Sequence, residues 1–561
     1  MMKKISRRDF LRGSAAALVG AMTFTPCVNA SEDAASSTIS AMEEQGFVFV
    51  QDLMSYDNID TSRTNTYTSD ERLDQVTIYV AGEVSTWTPW QPNRGRDAMI
   101  DVIYEPLFYY SDGFELVPCL AKEWYEEDDT HFVVTIYDYI TDFDGNNLTA
   151  SDVVAAFDYY ATSGNANDFD YYESSEAIDD YTVRFTWTGP IDSETALCTM
   201  METALYTQQA FNDHEFVSDP VGTGAYYLDT LTPGSEYILK VNENYWQTDD
   251  SVRCEVSKQN VETIDYKVIQ DSTMAYISFK AGEVYNYNLE SSNIADFKEG
   301  GDYYGQYTVV YDNATGRTGL AFNQAGNSIM SDENMRLAVA YAIDSEALTA
   351  AIGSDVYYMS HAEAGSGVTG YNSEWDTRDN YYNTYDPDLA KEYLAKTDYN
   401  GETLIYLSQS GSDATNLTAQ VIQQMLAQVG INVELALYED AIIDTYRYNL
   451  DYWDLYLFSW LGDPISQQWG RQFDMNNYTH GANEAGINDE YLQDMIERVQ
   501  SVSTCTDELI DEIQTYITDN CMCYSLYAQI TYTVYNPSIA RLNTFRGHSK
   551  VAWGANEYYL D

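Results

Sequence analysis

One carboxylate, Asp463, stands at a position where the sequence predicts a binding site. It follows DLYLFSW at 454–460, where apolar side chains alternate onto both faces of the segment. This pattern predicts a strand buried on both faces, as in a parallel sheet. Because ligands of open α/β sheets bind outside the carboxyl ends of strands, Asp463, Trp460 and Gly462 are candidate ligand contacts. An alternative role is that of a local cap, since an Asp before Pro464 commonly forms a turn or helix cap.

Motifs for metal binding and catalysis do not occur at the required spacing. DFDGNN at 142–147 has alternating oxygen ligands, but Val153 occupies the twelfth position, where a calcium loop needs Glu. The histidines show no paired metal spacing, and neither a phosphate loop nor a nucleophile elbow is present. The sequence therefore predicts no metal, no cofactor and no enzymatic activity. The alternative from another class is a hydrolase with a carboxylate pair such as Asp451 and Asp463.

The charge balance excludes two classes of partner. The 561 residues include 89 Asp and Glu against 28 Lys and Arg, giving a formal charge of −61. Such a field repels nucleic-acid phosphates and anionic lipid, so neither nucleic acid nor a membrane surface is an expected partner. The acids are spread along the chain, which is typical of a solvated acidic surface. The length predicts about three or four domains.

The first thirty residues predict a signal peptide. SRRDFLR at 6–12 contains paired arginines, the modestly apolar stretch 13–25 is too short to span a bilayer, and small residues follow at 28–30. The sequence therefore predicts export through the twin-arginine pathway to the periplasm or the extracellular face of the cell membrane. Cys27 leaves a lipid anchor open, although Pro26 precedes it where a small residue is preferred.

An acidic, Ser- and Thr-rich segment, 31–75, predicts a flexible leader, in which GFVFV at 46–50 could add an edge strand. Regular structure is predicted from QVTIYVAGE at 75–83 onward. Thr149 and Asp344 are predicted helix N-caps.

A helix followed directly by a strand is predicted at 416–435. The predicted apolar face of the helix consists of Leu417, Val421, Met425 and Val429. Gly430 ends the helix, and alternating apolar residues predict the strand. Together with the buried strand at 454–460, this order predicts a parallel α/β lobe.

Several segments, in this order, resemble family 5 extracellular solute-binding proteins of ABC importers, which include oligopeptide, dipeptide and nickel binders. The segments are YEPLFYYSDGFELVPCLAKEW, FDGNNLTASDVVAAF, DPVGTGAYYLDTLTPGSEYILKVNENYW, NMRLAVAYAIDSEAL, and IQQMLAQVGINVEL with YWDLYLFSWLGDP. The resemblance covers roughly residues 76–561. One departure is Ala225, which replaces the Pro of the family's GTGPY.

The resemblance implies an α/β fold of the two-lobed periplasmic-binding-protein type II, with an extra inserted subdomain. The implied divisions are a signal peptide (1–30), a leader (31–75), lobe I (76–103, 219–325 and 526–561), its inserted subdomain (104–218) and lobe II (326–525).

The resemblance also assigns roles to individual residues. In the peptide-binding members, an Asp three residues after the Trp of this block holds the ammonium group of the peptide, and Trp460 and Asp463 match that spacing. Lobe I is expected to line the cleft with Glu83, Val84 and Ser85, pairing with an extended ligand as an added strand would.

Two further residues have alternative roles. Trp87 either stacks on the ligand or packs in the core, and Asn323 is either a hinge residue or a ligand contact. Leu457 stands where the best-known oligopeptide binder has an Arg, and the segment after Leu407 lacks the Arg of the dipeptide binders. Free dipeptides are therefore disfavoured relative to longer peptides or cationic ligands, since a buried carboxylate would have no guanidinium partner.

The resemblance implies that the protein is the substrate-binding component of an ABC importer. It would capture an extracellular peptide-like solute by lobe closure, as a monomer, and deliver it to the membrane permease. The alternatives are a binder of a metal chelate, a glycan or another polar or cationic solute, and an exported hydrolase.

Overall fold

The computed structural model describes residues 42–560 apart from 43, 57–58, 66–71, 85, 91–96, 111–115, 164–168, 170–171, 189–195, 197–198, 202, 313–315, 326–327, 411–412, 461–463, 476–482, 484, 502–503 and 546–549. The predicted signal peptide, with Cys27, lies outside these residues. Among the described helices, none is long and apolar enough to cross a membrane.

The described residues form strands and helices that alternate along most of the chain. The strands are β1 (Val48–Phe49), β2 (Leu73–Val80), β3 (Phe108–Tyr110), β4 (Leu116–Pro118), β5 (Ala121–Asp128), β6 (His131–Ile136), β7 (Tyr172–Asp179), β8 (Thr182–Trp187), β9 (Tyr226–Thr232), β10 (Glu236–Val241), β11 (Val261–Val268), β12 (Asn286–Asn288), β13 (Thr308–Asp312), β14 (Arg317–Phe322), β15 (Tyr357–Met359), β16 (Thr403–Gln409), β17 (Asn432–Tyr438), β18 (Leu455–Trp460), β19 (Cys523–Gln529), β20 (Thr531–Tyr535), β21 (Ile539–Arg541), β22 (Thr544–Phe545), β23 (Lys550–Val551) and β24 (Glu557–Tyr558). The helices are α1 (Val50–Met54), α2 (Asp97–Ile100), α3 (Ala150–Ser163), α4 (Gln208–Asp213), α5 (Ser272–Lys280), α6 (Glu333–Tyr341), α7 (Ser345–Ile352), α8 (Pro387–Leu394), α9 (Asp413–Val429), α10 (Asp440–Arg447), α11 (Ile465–Phe473), α12 (Glu490–Gln500) and α13 (Asp507–Asp519).

The second lobe is built on a six-stranded sheet in the order β15-β19-β14-β18-β16-β17. β16 pairs in parallel with β17 and β18, whereas β14 runs antiparallel to both β18 and β19. Apolar residues of α6 to α9 cover one face, and those of α11 to α13 cover the other. The predicted strand buried on both faces is therefore confirmed as β18, but the sheet that contains it is mixed and not purely parallel.

The first lobe contains a four-stranded sheet in the order β2-β11-β10-β9. β2 and β11 are parallel, and the other neighbours are antiparallel. A second sheet, β5-β6-β8-β7, falls within the predicted inserted subdomain and shares one hydrophobic core with the first sheet.

The chain passes twice between the six-stranded sheet and a third sheet, ordered β1-β13-β20-β12. One crossing joins β13 to β14 across residues 313–316, and the other joins β19 to β20 through Ile530. The prediction placed 317–325 in lobe I, whereas β14 lies at the centre of the lobe II sheet. The first crossing therefore falls before residue 317, and not between residues 325 and 326. The second falls at Ile530, and not between residues 525 and 526.

Part of the predicted flexible leader is packed against the third sheet. Val48 and Phe49 pair in parallel with Val310 and Tyr311, and Phe47 is buried. The edge strand allowed at 46–50 is present, and the prediction of flexibility is wrong for these residues. The apolar side chains of this short stretch outweigh the acidic composition around them because they reach an existing core.

The helix signals agree with the structure at their ends. Thr149 donates from its backbone N and its Oγ1 to Asp152 Oδ2 at 2.7 and 2.6 Å as α3 begins, and Asp344 caps α7 by accepting from Ala347 N at 2.9 Å. Gly430, with a φ of +93°, follows the last residue of α9.

The buried face of α9 matches the predicted one in part. Val429 is buried and Val421 and Met425 pack against the core, as predicted, but Leu417 is 37% exposed. Ala419, Ile422 and Leu426 are buried in addition. Both sets have helical spacing, so periodicity alone could not distinguish them.

Candidate functional site

Four parallel strands of the six-stranded sheet end at one edge. β16, β17 and β18 end at Gln409, Tyr438 and Trp460, and β19 runs in the same direction to Gln529. β14 begins at this edge with Arg317, so both chain crossings leave the sheet here. We call this the carboxyl edge. It is where an open α/β sheet presents its binding residues. Both crossings lead from it to the third sheet, whose strands β12, β13 and β20 fall within the predicted lobe I.

Trp460 is the last residue of β18 and is paired in register with Arg317. It is 8% exposed and packs edge-on against Phe458, with ring centroids 5.7 Å apart. Its indole Nε1 is buried and has no hydrogen-bond partner among the described residues. Trp460 therefore lies at the carboxyl edge, as predicted, with an unused hydrogen-bond donor.

The other two residues of the predicted lobe II site, Gly462 and Asp463, lie outside the described residues. The helix that follows, α11, begins at Ile465, and Pro464 occupies its N-cap position without a side-chain cap.

A buried ion pair supports the carboxyl edge from beneath. Arg317 Nη1 lies 3.1 Å from Glu363 Oε1, and both side chains are completely buried. The Glu363 carboxylate also accepts hydrogen bonds from Tyr382 Oη at 2.7 Å, Gln472 Nε2 at 2.9 Å and Ser525 N at 3.1 Å. These contacts join β14, α11 and β19, so they fix the elements on both sides of Trp460.

Sequence reasoning missed both members of this ion pair. Arg317 and Glu363 belong to no recognisable motif, and only the tertiary fold brings them together. The single available signal was a basic residue at the start of an otherwise apolar strand.

The face of β18 that packs against α9 changes from buried to exposed toward the carboxyl end of the strand. Leu457 is buried in the apolar cluster against α9, so no charged group stands at the position where the resemblance would place an Arg. Ser459, two residues further along the same face, is exposed and lies 2.9 Å from Thr318, measured between the two hydroxyl oxygens. Ser459 is an exposed polar residue near the carboxyl edge, and no sequence motif distinguishes it.

The predicted contacts of lobe I follow β2. Glu83 is exposed, and its carboxylate lies beside Gly234 in the turn between β9 and β10. Val84 is half-buried and donates its backbone N–H to Tyr237 Oη at 3.0 Å. Ser85 lies outside the described residues. Glu83 is therefore available to solvent, whereas the Val84 backbone N–H already has a partner.

Trp87 belongs to the core of the first lobe and does not form part of an open surface. It is 1% exposed and packs edge-on against Tyr237, with ring centroids 5.5 Å apart. Its backbone N donates to Val217 O at 3.2 Å. This corrects the assignment of Trp87 as a ligand contact and favours its alternative role, because a ligand cannot stack on a ring that is already enclosed.

Asn323 lies at the edge of the sheet opposite Trp460. It follows the last residue of β14, and its Nδ2 donates to Leu450 O at 2.6 Å and to Trp453 O at 2.7 Å. Six residues of β14 separate it from the crossing, which corresponds to roughly 20 Å at about 3.4 Å per residue. This corrects both predicted roles: Asn323 is fully buried and tethers the segment before β18.

The fold resembles those of known binding proteins over most of the chain. The structure of the Helicobacter pylori periplasmic binding protein DppA in complex with the peptide STSA has a TM-score of 0.73 at 17% identity, covering 88% of this chain and 99% of that one. The Bacillus subtilis oligopeptide-binding protein AppA in complex with a nonapeptide has a TM-score of 0.72 at 16% identity, covering 88% of this chain and 100% of that one. The fold is therefore that of a two-lobed solute-binding protein.

The family follows from the sequence comparison. The model described as bacterial extracellular solute-binding proteins, family 5 Middle, matches residues 115–480, and this chain belongs to that family. A curated relative, the peptidoglycan-binding protein YepA of Agrobacterium fabrum, is 27% identical over 281 residues, which cover 46% of this chain. The match spans less than half of that relative, 44% of its length.

Proposed function

We propose that this protein captures a peptide-like solute between its two lobes and delivers it to an ABC permease in the membrane. The observation that carries the proposal is the carboxyl edge, where four parallel strands end beside both crossings to the first lobe. A solute at this edge can contact both lobes at once. Membership of family 5 and the peptide complexes of two proteins with a similar fold support a peptide as the solute.

Binding is coupled to lobe closure. A ligand that contacts both lobes stabilises the closed state by the difference between its affinities for the closed and open states. In lobe II, Asp463 holds a ligand ammonium group, with Trp460 and Gly462 beside it. In lobe I, Glu83 and the backbone of 83–85 contact the extended ligand. The closed form is the one that the permease recognises, and the binding protein acts as a monomer.

Export precedes this function. Residues 1–30 direct the folded protein through the twin-arginine pathway, so that the mature chain meets its solute at the outer side of the cell membrane. The strongly acidic surface keeps the exported chain away from anionic lipid and nucleic acid.

Native mass spectrometry of the protein purified from its own export compartment tests the proposed function. The expected result is a complex whose released ligand fragments as a peptide and is recovered unchanged after prolonged incubation. Recovery of a non-peptide solute would contradict the peptide assignment, and recovery of cleaved ligand would favour the hydrolase alternative. A glycan or muropeptide is the second candidate solute, because one relative is named as peptidoglycan-binding.

A further inference from the structure

Four hydroxyl side chains adjoin one another near the carboxyl edge, on the face of the six-stranded sheet that α9 covers. Ser459 of β18 and Tyr527 of β19 flank Thr318 of β14 in register. Thr318 Oγ1 and Ser459 Oγ are 2.9 Å apart, and Thr418 Oγ1 of α9 lies 3.2 Å from Tyr527 Oη. We call Ser459, Thr318, Tyr527 and Thr418 the hydroxyl row.

The row is continuous from one strand to the next. Burial raises the pKa of the Tyr527 phenol, and hydrogen bonds with Thr418 and Thr318 partly offset that effect. Thr318 lies between Ser459 and Tyr527 in the register of its two strand pairs, and it forms the centre of the row.

The row leads from solvent into the sheet. Ser459 is exposed and Thr318 is half-buried, whereas Tyr527 and Thr418 are buried. On β16, the fully buried Tyr406 Oη has no hydrogen-bond partner among the described residues. Burial and the nearby Tyr527 phenol raise the pKa of Tyr406, so its hydroxyl is neutral at physiological pH. Each hydroxyl can donate one hydrogen bond and accept two, so the row has capacity that its internal bonds do not use.

The basic side chains of this lobe are already engaged. Eight Lys and Arg residues occur between 316 and 530. Arg317, Arg378, Lys391 and Arg498 each pair with a carboxylate. Arg336 donates to backbone carbonyls, and Lys396 and Arg447 lie over tyrosine rings. Arg471 also has a partner. A carboxylate brought to the hydroxyl row would thus lose its hydration without gaining a free cation from this lobe, in a strongly negative protein field.

We propose that the hydroxyl row is a subsite for a neutral hydrogen-bonding group of the solute, an amide or a hydroxyl, and that it selects against a carboxylate at that position. This inference rests on the solute-binding function proposed above, and it specifies the chemistry that the lobe II side of the cleft accepts. Ser459 and Thr318 make the contact, since they are the accessible end of the row.

Calorimetric titration with three defined probes tests the subsite: alanyl-alanine amide, alanyl-alanine, and the neutral disaccharide cellobiose. The wild-type protein is compared with the double variant Ser459→Ala/Thr318→Val, which removes both accessible hydroxyls while keeping the side chains similar in size. The exchange variant Ser459→Thr/Thr318→Ser keeps both hydroxyls. Ser174→Ala removes an exposed hydroxyl from β7, outside the six-stranded sheet, and is the matched control.

The expected result is that the wild-type protein binds alanyl-alanine amide at least about tenfold more tightly than alanyl-alanine. The double variant should lose about tenfold in affinity for the amide, as expected when a hydrogen-bonding contact is removed, with little change for the free acid. The exchange variant and Ser174→Ala should both keep the wild-type preference. Equal unfolding midpoints would exclude a general loss of folding.

The outcomes separate this inference from the proposed function. Equal binding of both peptides, unchanged in the double variant, would overturn the subsite and leave peptide binding intact. Binding of cellobiose alone, weakened in the double variant, would overturn peptide binding and support the subsite. Binding of none of the three probes would overturn the subsite, because it requires that a neutral polar solute be accepted.

Discussion

Arg317 and Glu363 form an ion pair whose two side chains are both completely buried, with 3.1 Å between Nη1 and Oε1. Arg317 faces Trp460 across the strand pair at the carboxyl edge, and Glu363 accepts a hydrogen bond from Gln472 of the helix that follows Asp463. The position of the candidate ligand-binding segment therefore depends on a charged network beneath it as well as on apolar packing.

Breaking this ion pair should strongly destabilise the protein. Glu363→Gln leaves the Arg317 charge buried without its counter-charge, and the expected loss in the free energy of unfolding is about 3–5 kcal/mol. Urea unfolding followed by tryptophan fluorescence measures it. Asp388→Asn, which removes the exposed ion pair with Lys391, is the control and should cost less than about 1 kcal/mol. If Glu363→Gln lost no more free energy of unfolding than the control, the buried pair would not stabilise the lobe.

The two glycines of the GTG motif should tolerate no side chain. A Cβ at Gly224 would lie 2.2 Å from the backbone oxygen of Val102, and one at Gly222 would lie 2.2 Å from that of Ile103. Because backbone atoms cannot move aside easily, Gly224→Ala should lower the free energy of unfolding by about 3 kcal/mol or more.

Gly82→Ala is the matched control for that experiment, since a Cβ at this position meets no atom of the described residues within 4 Å apart from its chain neighbours. It should change the free energy of unfolding by no more than about 0.5–1 kcal/mol. Thermal unfolding by calorimetry compares the two variants, and equal stability of both would contradict the close approach of the two segments.

His214 should make stability depend on pH. Its Nδ1 and Nε2 each lie 2.7 Å from a carboxylate oxygen, of Asp219 and Asp144, and the hydrogen bond to Asp219 is the largest cause of its raised pKa. Because the folded protein binds the proton more tightly than the unfolded chain, the stabilisation is complete below the unfolded pKa of about 6.5 and is lost as the pH rises through the folded value.

Unfolding midpoints of the wild-type protein and His214→Gln between pH 5.5 and pH 9 measure this effect. The wild-type advantage should be largest at pH 5.5 and should shrink toward pH 9. A difference that stays constant or grows with pH would show that protonation of His214 does not contribute to stability.

Local signals in the sequence predicted much of the fold. The alternation in 454–460 predicted β18, Gly430 marked the end of α9, and Thr149 and Asp344 marked the starts of α3 and α7. These features depend on neighbours within a few residues. The apolar face of α9 was predicted only in part, because the sheet against which the helix packs decides which of two overlapping stripes is buried most deeply.

Long-range polar contacts were not predictable. Glu105 is fully buried and accepts hydrogen bonds from Tyr245 Oη at 2.5 Å, Trp246 Nε1 at 2.8 Å and Ser257 Oγ at 2.9 Å, partners that lie some 140–152 residues away. Burial raises its pKa, and these donors act in the opposite direction. Nothing near Glu105 in the sequence distinguishes it from an exposed acid, and the same holds for Glu363.

The candidate site was predicted in part. The alternation of residues 454–460 placed Trp460 at the end of a buried strand, where the structure has it. Asn323 and Trp87 were also grouped with the predicted ligand contacts. Asn323 lies at the opposite edge because β14 runs antiparallel to β18, a relationship that hydrophobic periodicity does not reveal. Ser459 was overlooked because a single Ser in an apolar strand has no distinctive signal until its cross-strand neighbour Thr318 is known.

The proposed lobe II site depends most on the ammonium-binding role of Asp463. Calorimetry with tetraalanine and N-acetyl-tetraalanine tests it most directly, because acetylation removes only the ammonium charge. The wild-type protein should bind N-acetyl-tetraalanine more weakly than tetraalanine by about 2–5 kcal/mol of binding free energy. Asp463→Asn should bind tetraalanine more weakly than the wild type by a similar amount, and acetylation of the peptide should weaken its binding to this variant little further. The exposed Asp451→Asn is the control and should bind as the wild type does. If Asp463→Asn bound tetraalanine as tightly as the wild type does, or if the wild-type protein did not bind tetraalanine, Asp463 would not have this role.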